Sequence, residues 1–268
     1  MNTKHGPGGW HGGSFGERAR CLLAANPGPM TLDGTNTWVL REPDARHAVV
    51  VDPGPLDDDH LSTVLDRAAP VGVVLLTHGH ADHSAGAGRF AELAGCAVRA
   101  LDPAHRLGDE GLGDGDVVEV DGLEVRVVGT PGHSSDSLSF VLPAERAVLT
   151  GDTVLGRGTT VVAHPDGRLG AYLDSLDRLH RLAEEQRIDR VWPGHGPVID
   201  DALAVLDHYI AHRAERLEQV RDAMASGARS PREVVERVYA DVDPVLWPAA
   251  ELSVRAQLDY LDASDSVL

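Results

Sequence analysis

The chain holds 268 residues, 42% hydrophobic and 25% charged, with a formal net charge of −18. That is apolar material enough for one large domain, or a domain with an appendage, and no apolar run nears the ~18 residues that cross a membrane. The negative surplus sets most of the surface against polyanions such as RNA, so a small molecule is the favoured partner and nucleic acid an unfavoured one.

Residues 1–16, MNTKHGPGGWHGGSFG, are glycine-rich and read as a flexible leader. Short β-like runs follow in CLLAA, TNTWVL and HAVVVDPG. A helical stretch near Asp57 to Ala69 then leads into the apolar strand VGVVLL and, directly after it, THGHADHSAG at 77–86. SAGAGRFAELAG reads as a helix closed by Gly95, and CAVRA as a strand. DVVEVDGLEVRVVGTPGH is a hairpin turning at Asp121-Gly122 and ending at His133. SLSFVL and AVLTGD form another strand pair, Gly170 to Gln186 is helical, and DRVWPGHG is a last strand running into a loop.

From about Asp200 the pattern turns helical. A long segment is followed by SPREVVERVYA, whose Ser230, Pro231 and Glu233 form a capping-box arrangement, and by AAELSVRAQLDYL. The boundary falls near residue 200, giving a main domain over 17–199 and a helical appendage over 200–268. The start lacks the apolar core of a secretory signal, and Cys21 and Cys96 lack metal-ligand spacing, so a cytoplasmic protein with free thiols is expected. Nothing in the sequence fixes an oligomeric state.

The histidine cluster carries the chemistry. Residues two apart project to one side of an extended segment, so His78 and His80 aim together, while Asp82 and His83 turn toward a neighbouring point. That arrangement serves two metal ions better than one. GTPGH, TGDT and PGHG add His133, Asp152 and His195, each directly after an apolar strand. In α/β sheets ligands gather at such strand ends. Imidazole and carboxylate donors suit zinc, with iron or manganese as alternatives.

The pattern THGHADH with His133, Asp152 and His195, preceded by VVVDPG, resembles the metallo-β-lactamase fold superfamily. The resemblance implies a four-layer αββα sandwich. It also implies that His78, His80 and His133 hold a first metal, that Asp82, His83 and His195 hold a second, and that Asp152 bridges them. It gives Asp52 the role of steadying the metal loop; the other reading of Asp52 is a plain turn. True β-lactamases of this superfamily usually carry a cysteine ligand, and both cysteines here lie outside the motif. NPGPMTLDGTNTWVL, GDTVLGRGTTVV, PGHGPVI and LSVRAQLDYL resemble the β-lactamase-like protein 2 group, which implies a winged-helix-like C-terminal domain. That group includes single-strand-specific endoribonucleases, and fungal relatives are thioesterases.

The expected activity is a metal-dependent hydrolase using a hydroxide that bridges two zinc ions, with Asp82 and Asp152 placing it. Zinc brings the pKa of bound water from 15.7 to about 7. Residues 200–268 hold seven arginines, no lysine and fourteen acidic residues, a poor platform for RNA. Small esters or thioesters therefore rank above single-stranded RNA as substrates. An iron-dependent persulfide dioxygenase and a non-catalytic metal-binding protein stand as further alternatives. Arg157, His164 and Tyr172, in and after the loop that follows Asp152, are candidates for gripping substrate, with Asn36 on the opposite wall. The appendage reads either as a lid over the cleft or as a stabilising helical pack.

Overall fold

Strand β4, Ala48–Val51, is apolar at every position and fully buried, the mark of a strand covered on both faces. It belongs to a sheet of six in chain order: β1 Gly13–Phe15, β2 Ala19–Leu23, β3 Asn36–Leu40, β4, β5 Val71–Leu75 and β6 Ala97–Arg99. A second sheet runs β11-β10-β9-β8-β7, from Arg190–Pro193, Ala147–Gly151, Leu138–Leu142, Leu123–Gly129 and Val117–Val120. The computed structural model describes residues 9–265.

The two-residue alternation of strands sorts their side chains between layers. Val49 and Val51 of β4 meet Leu123, Val125, Phe140 and Leu149 of the other sheet, in a core where Trp38 stacks on Trp192 at 5.1 Å. Ala48 and Val50 point the opposite way, onto Leu61 and Val64 of α1 (Asp58–Ala68) and Phe90 of α3 (Ala87–Ala94). On the far side Val141, Val148 and Val191 turn outward beneath Tyr172 and Leu176 of α4 (Leu169–Gln186). The result is the expected αββα sandwich.

The turn at Asp121-Gly122 has positive φ at both residues, 47° and 89°, which closes the β7–β8 hairpin in the hand its strands require. The flexible-leader expectation fails for residues 9–16; residues 1–8 lie outside the described region. β1 pairs with β2, and Trp10 is buried, its indole N–H donating to Asn36 Oδ1 at 2.7 Å. Its glycine content masked a strand anchored by two aromatics, Trp10 and Phe15, 5.6 Å apart. Both cysteines are free. No described helix is long and apolar enough to cross a membrane.

After β11 the described chain is helical: α5 Ala202–Ala225, α6 Pro231–Val238 and α7 Trp247–Asp265. Ser230 caps α6, its hydroxyl accepting Glu233 N–H at 3.2 Å. The Glu233 carboxylate reaches back to Arg229 N–H at 2.8 Å, one residue beyond the capping-box partner. Leu206, Tyr209, Val220, Val234 and Val254 of this region share one apolar cluster with α4 and the outer face of the second sheet. The appendage is therefore packed onto the main body rather than tethered to it.

Candidate metal centre

Strands β4 and β5 are parallel, and so are β10 and β11; β8 and β10 both run antiparallel to β9 and thus share a direction. The polypeptide leaves β5, β8, β10 and β11 toward a common rim, where all seven expected side chains meet. His78 and His80 follow β5, His80 in extended backbone, and the one-turn helix α2 (Ala81–Ser84) carries Asp82 and His83. Ser84 Oγ donates to Gly79 O at 2.9 Å and closes this loop on itself. The glycine before His195 is a matter of space. A Cβ on Gly194 would stand 2.6 Å from Asp152 Oδ1 and 2.8 Å from the His83 ring.

Two overlapping sets of nitrogens and oxygens result. His78 Nε2 and His133 Nε2 each lie 3.0 Å from His80 Nδ1. His195 Nε2 lies 3.1 Å from Asp82 Oδ2 and 3.3 Å from His83 Nε2. Asp152 stands between the sets, 3.7 Å from His133 Nε2, 3.4 Å from His195 Nε2 and 3.4 Å from His83 Nε2. Within each of the groups His78–His80–His133, His78–His83–Asp152 and Asp82–His83–His195, donor atoms lie within 4.8 Å of one another. Tetrahedral ligands at 2.0–2.1 Å from zinc stand about 3.3 Å apart, so the spacing fits such an ion. Asp152 Oδ1 is buried and accepts no hydrogen bond, which is the condition of an oxygen reserved for a cation.

The outer nitrogens are occupied, which turns the inner ones toward the centre. His83 Nδ1 donates to Asp52 Oδ2 at 2.9 Å, His133 Nδ1 to Val161 O at 2.8 Å and His195 Nδ1 to Gly34 O at 3.0 Å. Thr77 Oγ1 donates to Asp52 Oδ2 at 2.6 Å and itself lies 3.0 Å from His78 Nδ1. Asp52 also accepts the Thr77 N–H at 2.8 Å, so one carboxylate fixes two histidines and the loop between them. Thr35 donates to Asp82 Oδ2 at 3.1 Å.

The electrostatics call for positive charge. Burial opposes ionisation of Asp152, but His195 and His83 outweigh it and hold its carboxyl well below the usual range. In Asp82 burial is likewise overcome by hydrogen bonds from His195 and His83. Burial pulls His83 and His195 down, yet Asp152 with Asp52, and Asp152 with Asp82, drive them up, His195 to about 9. Burial leaves His78 and His133 lowered. The facing nitrogens of His83 and His195, 3.3 Å apart, cannot both carry protons without repulsion, and a divalent cation would relieve that conflict by taking the protons' place.

A cleft of about 370 Å³ opens from His133 and Asp152. Its walls include Met30 and Leu32, Leu155, and Val242, Leu246 and Ala250 from the C-terminal region. Of the four expected substrate contacts only Arg157 lines it, paired with Asp33. Tyr172 is fully buried in the α4 core and donates to Thr153 O at 2.7 Å, because its apolar ring fills the helix–sheet interface. Asn36 is buried too; its amide donates to Pro193 O and Gly196 O at 2.9 Å, tying β3 to the His195 loop. His164 faces α7, 3.1 Å from Asp259 Oδ2, and fastens the loop to the appendage. The sequence reading missed Thr77 and Thr160, whose hydroxyls meet His78 and His133, and Arg213 on the cleft wall. The threonine that opens THGH is a local signal; the other two come from remote segments and leave none.

The sequence pattern of the metallo-β-lactamase superfamily matches residues 30–195, and that of the β-lactamase-associated winged helix domain matches 230–268. A β-lactamase-like protein 2 homolog from Caenorhabditis elegans is 34% identical over 90% of this chain and 82% of its own length. An atrochrysone carboxyl ACP thioesterase from Aspergillus chevalieri is 34% identical over 82% of this chain and 73% of its own. A β-lactamase domain protein from Burkholderia ambifaria shares the fold, with a TM-score of 0.80 at 24% identity over 95% of this chain and 88% of that one. The chain belongs to the metallo-β-lactamase superfamily of hydrolases, with a β-lactamase-associated winged-helix domain following its metal-binding fold.

Proposed function

We propose that this protein hydrolyses a small carboxylic ester or thioester at a centre of two divalent cations, zinc foremost, with iron or manganese suited to the same donors. His78, His80 and His133 would hold the first ion, Asp82, His83 and His195 the second, and Asp152 both. The observation that carries this reading is the convergence of seven donors in overlapping sets, two of which, His133 and Asp152, open onto a cleft with apolar residues in its walls. Bound cations of this kind bring water's pKa near neutrality and polarise a carbonyl oxygen.

The chain's own groups do the rest. Thr35 holds the Asp82 carboxylate and Asp52 holds the His83 ring, so the donors are set before substrate arrives. Asp152, whose Oδ1 accepts no hydrogen bond, would help hold the ions and so place the attacking water, with Asp82 doing the same from the other side. The main domain over 17–199 supplies the donors, and residues 200–268 act as the wall that keeps bulk water from the acyl group. The relative named as an acyl-carrier thioesterase favours a thioester. The net negative charge of residues 200–268 and the cleft of about 370 Å³ favour a small molecule over RNA. No membrane-spanning helix among the described residues and two free cysteines suit a cytoplasmic setting.

The test is a substrate panel run on protein whose metal content has been measured. Close to two ions per chain, and thioester or ester cleaved faster than single-stranded RNA, are the expected results. Under half an ion per chain, or RNA cleaved fastest, would overturn the reading.

A further inference from the structure

The cleft holds an unused charge. In a chain of net −18, the residues lining the cleft include three arginines, 157, 213 and 216, and a single carboxylate, Asp152, which belongs to the metal centre. Arg157 is neutralised by Asp33. Arg213 is not neutralised: it is 4% exposed, and among the described residues it forms no ion pair with a carboxylate. It donates one N–H to Thr160 O and lies 5.0 Å from the centre of the Tyr172 ring, while its Nε is buried with no partner. Arg216, three residues along the same face of α5, donates from Nη1 to Gln219 Oε1 and Val238 O, and among the described residues it too forms no ion pair with a carboxylate.

A buried guanidinium without a counter-ion is costly, and where it lines a cleft a bound anion recovers part of that cost. We propose that Arg213, joined by Arg216, binds a second anionic group of the substrate, a carboxylate or phosphate oxyanion that takes no part in the bond being cleaved. This rests on the hydrolase reading only in assigning the anion to its substrate. The local field agrees with it. His212, beside both arginines, is pulled down to about 4, first by burial and then by their charges, so it adds no competing proton. Thr160 links the two ends of the cleft, its carbonyl accepting from Arg213 and its hydroxyl lying 3.2 Å from His133 Nδ1. An anion at Arg213 thereby registers the substrate against the metal centre.

The experiment is calorimetry on metal-loaded protein with three matched probes: pentanoate, pentanedioate and 4-phosphonobutanoate. One carboxylate is common to all, so binding at the metals cancels in the comparison. The second charge should tighten binding at least about tenfold, as a charge-assisted hydrogen bond to a buried arginine does. The larger gain, from carboxylate or from phosphonate, identifies the group. Arg213→Gln should erase the gain and Arg213→Lys should keep part of it. A guanidinium serving only as a strut for Thr160 would alter stability or metal content but leave the charge preference intact. No gain in the unmodified protein overturns the proposal without any variant, and so does a gain that survives in both Arg213→Gln and Arg216→Gln. Ester cleavage without charge preference removes this proposal alone; charge-dependent binding without cleavage of any ester removes the hydrolase reading alone.

Discussion

The floor and the wall of the cleft are built on different principles. At the floor, side chains from α2 and from the ends of β5, β8 and β10 meet His195, beyond β11, and each ring or carboxylate is held by a second group, as Asp52 holds His83 and Gly34 O holds His195. The wall comes from Val242, Leu246 and Ala250 of the helical region and from Met30 and Leu32 of an early loop, joined by apolar contact. Directional bonds fix the floor to fractions of an ångström, whereas packing fixes the wall only by volume. The chemistry should therefore fail sharply when the floor is altered, and the substrate preference should shift gradually when the wall is.

The largest expected effect is at Asp152. Asp152→Ala should bring turnover to background and lower metal content, with the circular dichroism of the folded chain retained. Retained activity would remove Asp152 from the bridging role proposed for it. Asp52→Asn keeps the shape but turns an amide toward His83, and a loss of about 10- to 100-fold in metal affinity or activity is expected, as for other outer partners of metal-bound histidines. Titration of metal into the chelated variant measures it.

Proton competition gives the next contrast. In metal-free protein His195 is raised from 6.5 to about 9, so its stabilising contribution is complete below pH 6.5 and is lost as pH climbs through 9. Thermal melts of chelated protein should fall across that window. Metal affinity should rise across it, because fewer protons must be displaced. A metal-loaded protein showing the same loss would break the link between these imidazoles and the cation.

On the wall, Ala249→Trp should raise KM while leaving metal content unchanged, since the residue lines the cleft away from the donors. Equal loss of metal would mean that wall and floor are not separable. The smallest effect is at Ser230. Ser230→Ala removes the cap on α6 and should cost about 1 kcal/mol in a denaturant melt with the ester kinetics little changed.

Much of the floor was legible in the chain itself. His78, His80, Asp82 and His83 are neighbours in sequence, and the apolar runs before His133, Asp152 and His195 mark strand ends. Strand alternation is equally local, which is why the sandwich could be anticipated. The leader was misread because Trp10 gains its meaning only from Asn36, twenty-six residues away. Tyr172 and Asn36 looked like pocket residues because polar groups near a metal motif suggest contact with substrate. Their actual partners, Thr153 O, Pro193 O and Gly196 O, are set by packing.

By itself the sequence offered seven donors of metal-binding type and set them just after apolar strands, because donor chemistry and two-residue periodicity are properties of short segments. Only the tertiary structure decided that Thr160 abuts His133, that α5 brings Arg213 to the same cleft, and that residues of the helical appendage line it. Those contacts join segments dozens of residues apart, and the buried surface that selects them exists only once the layers have packed.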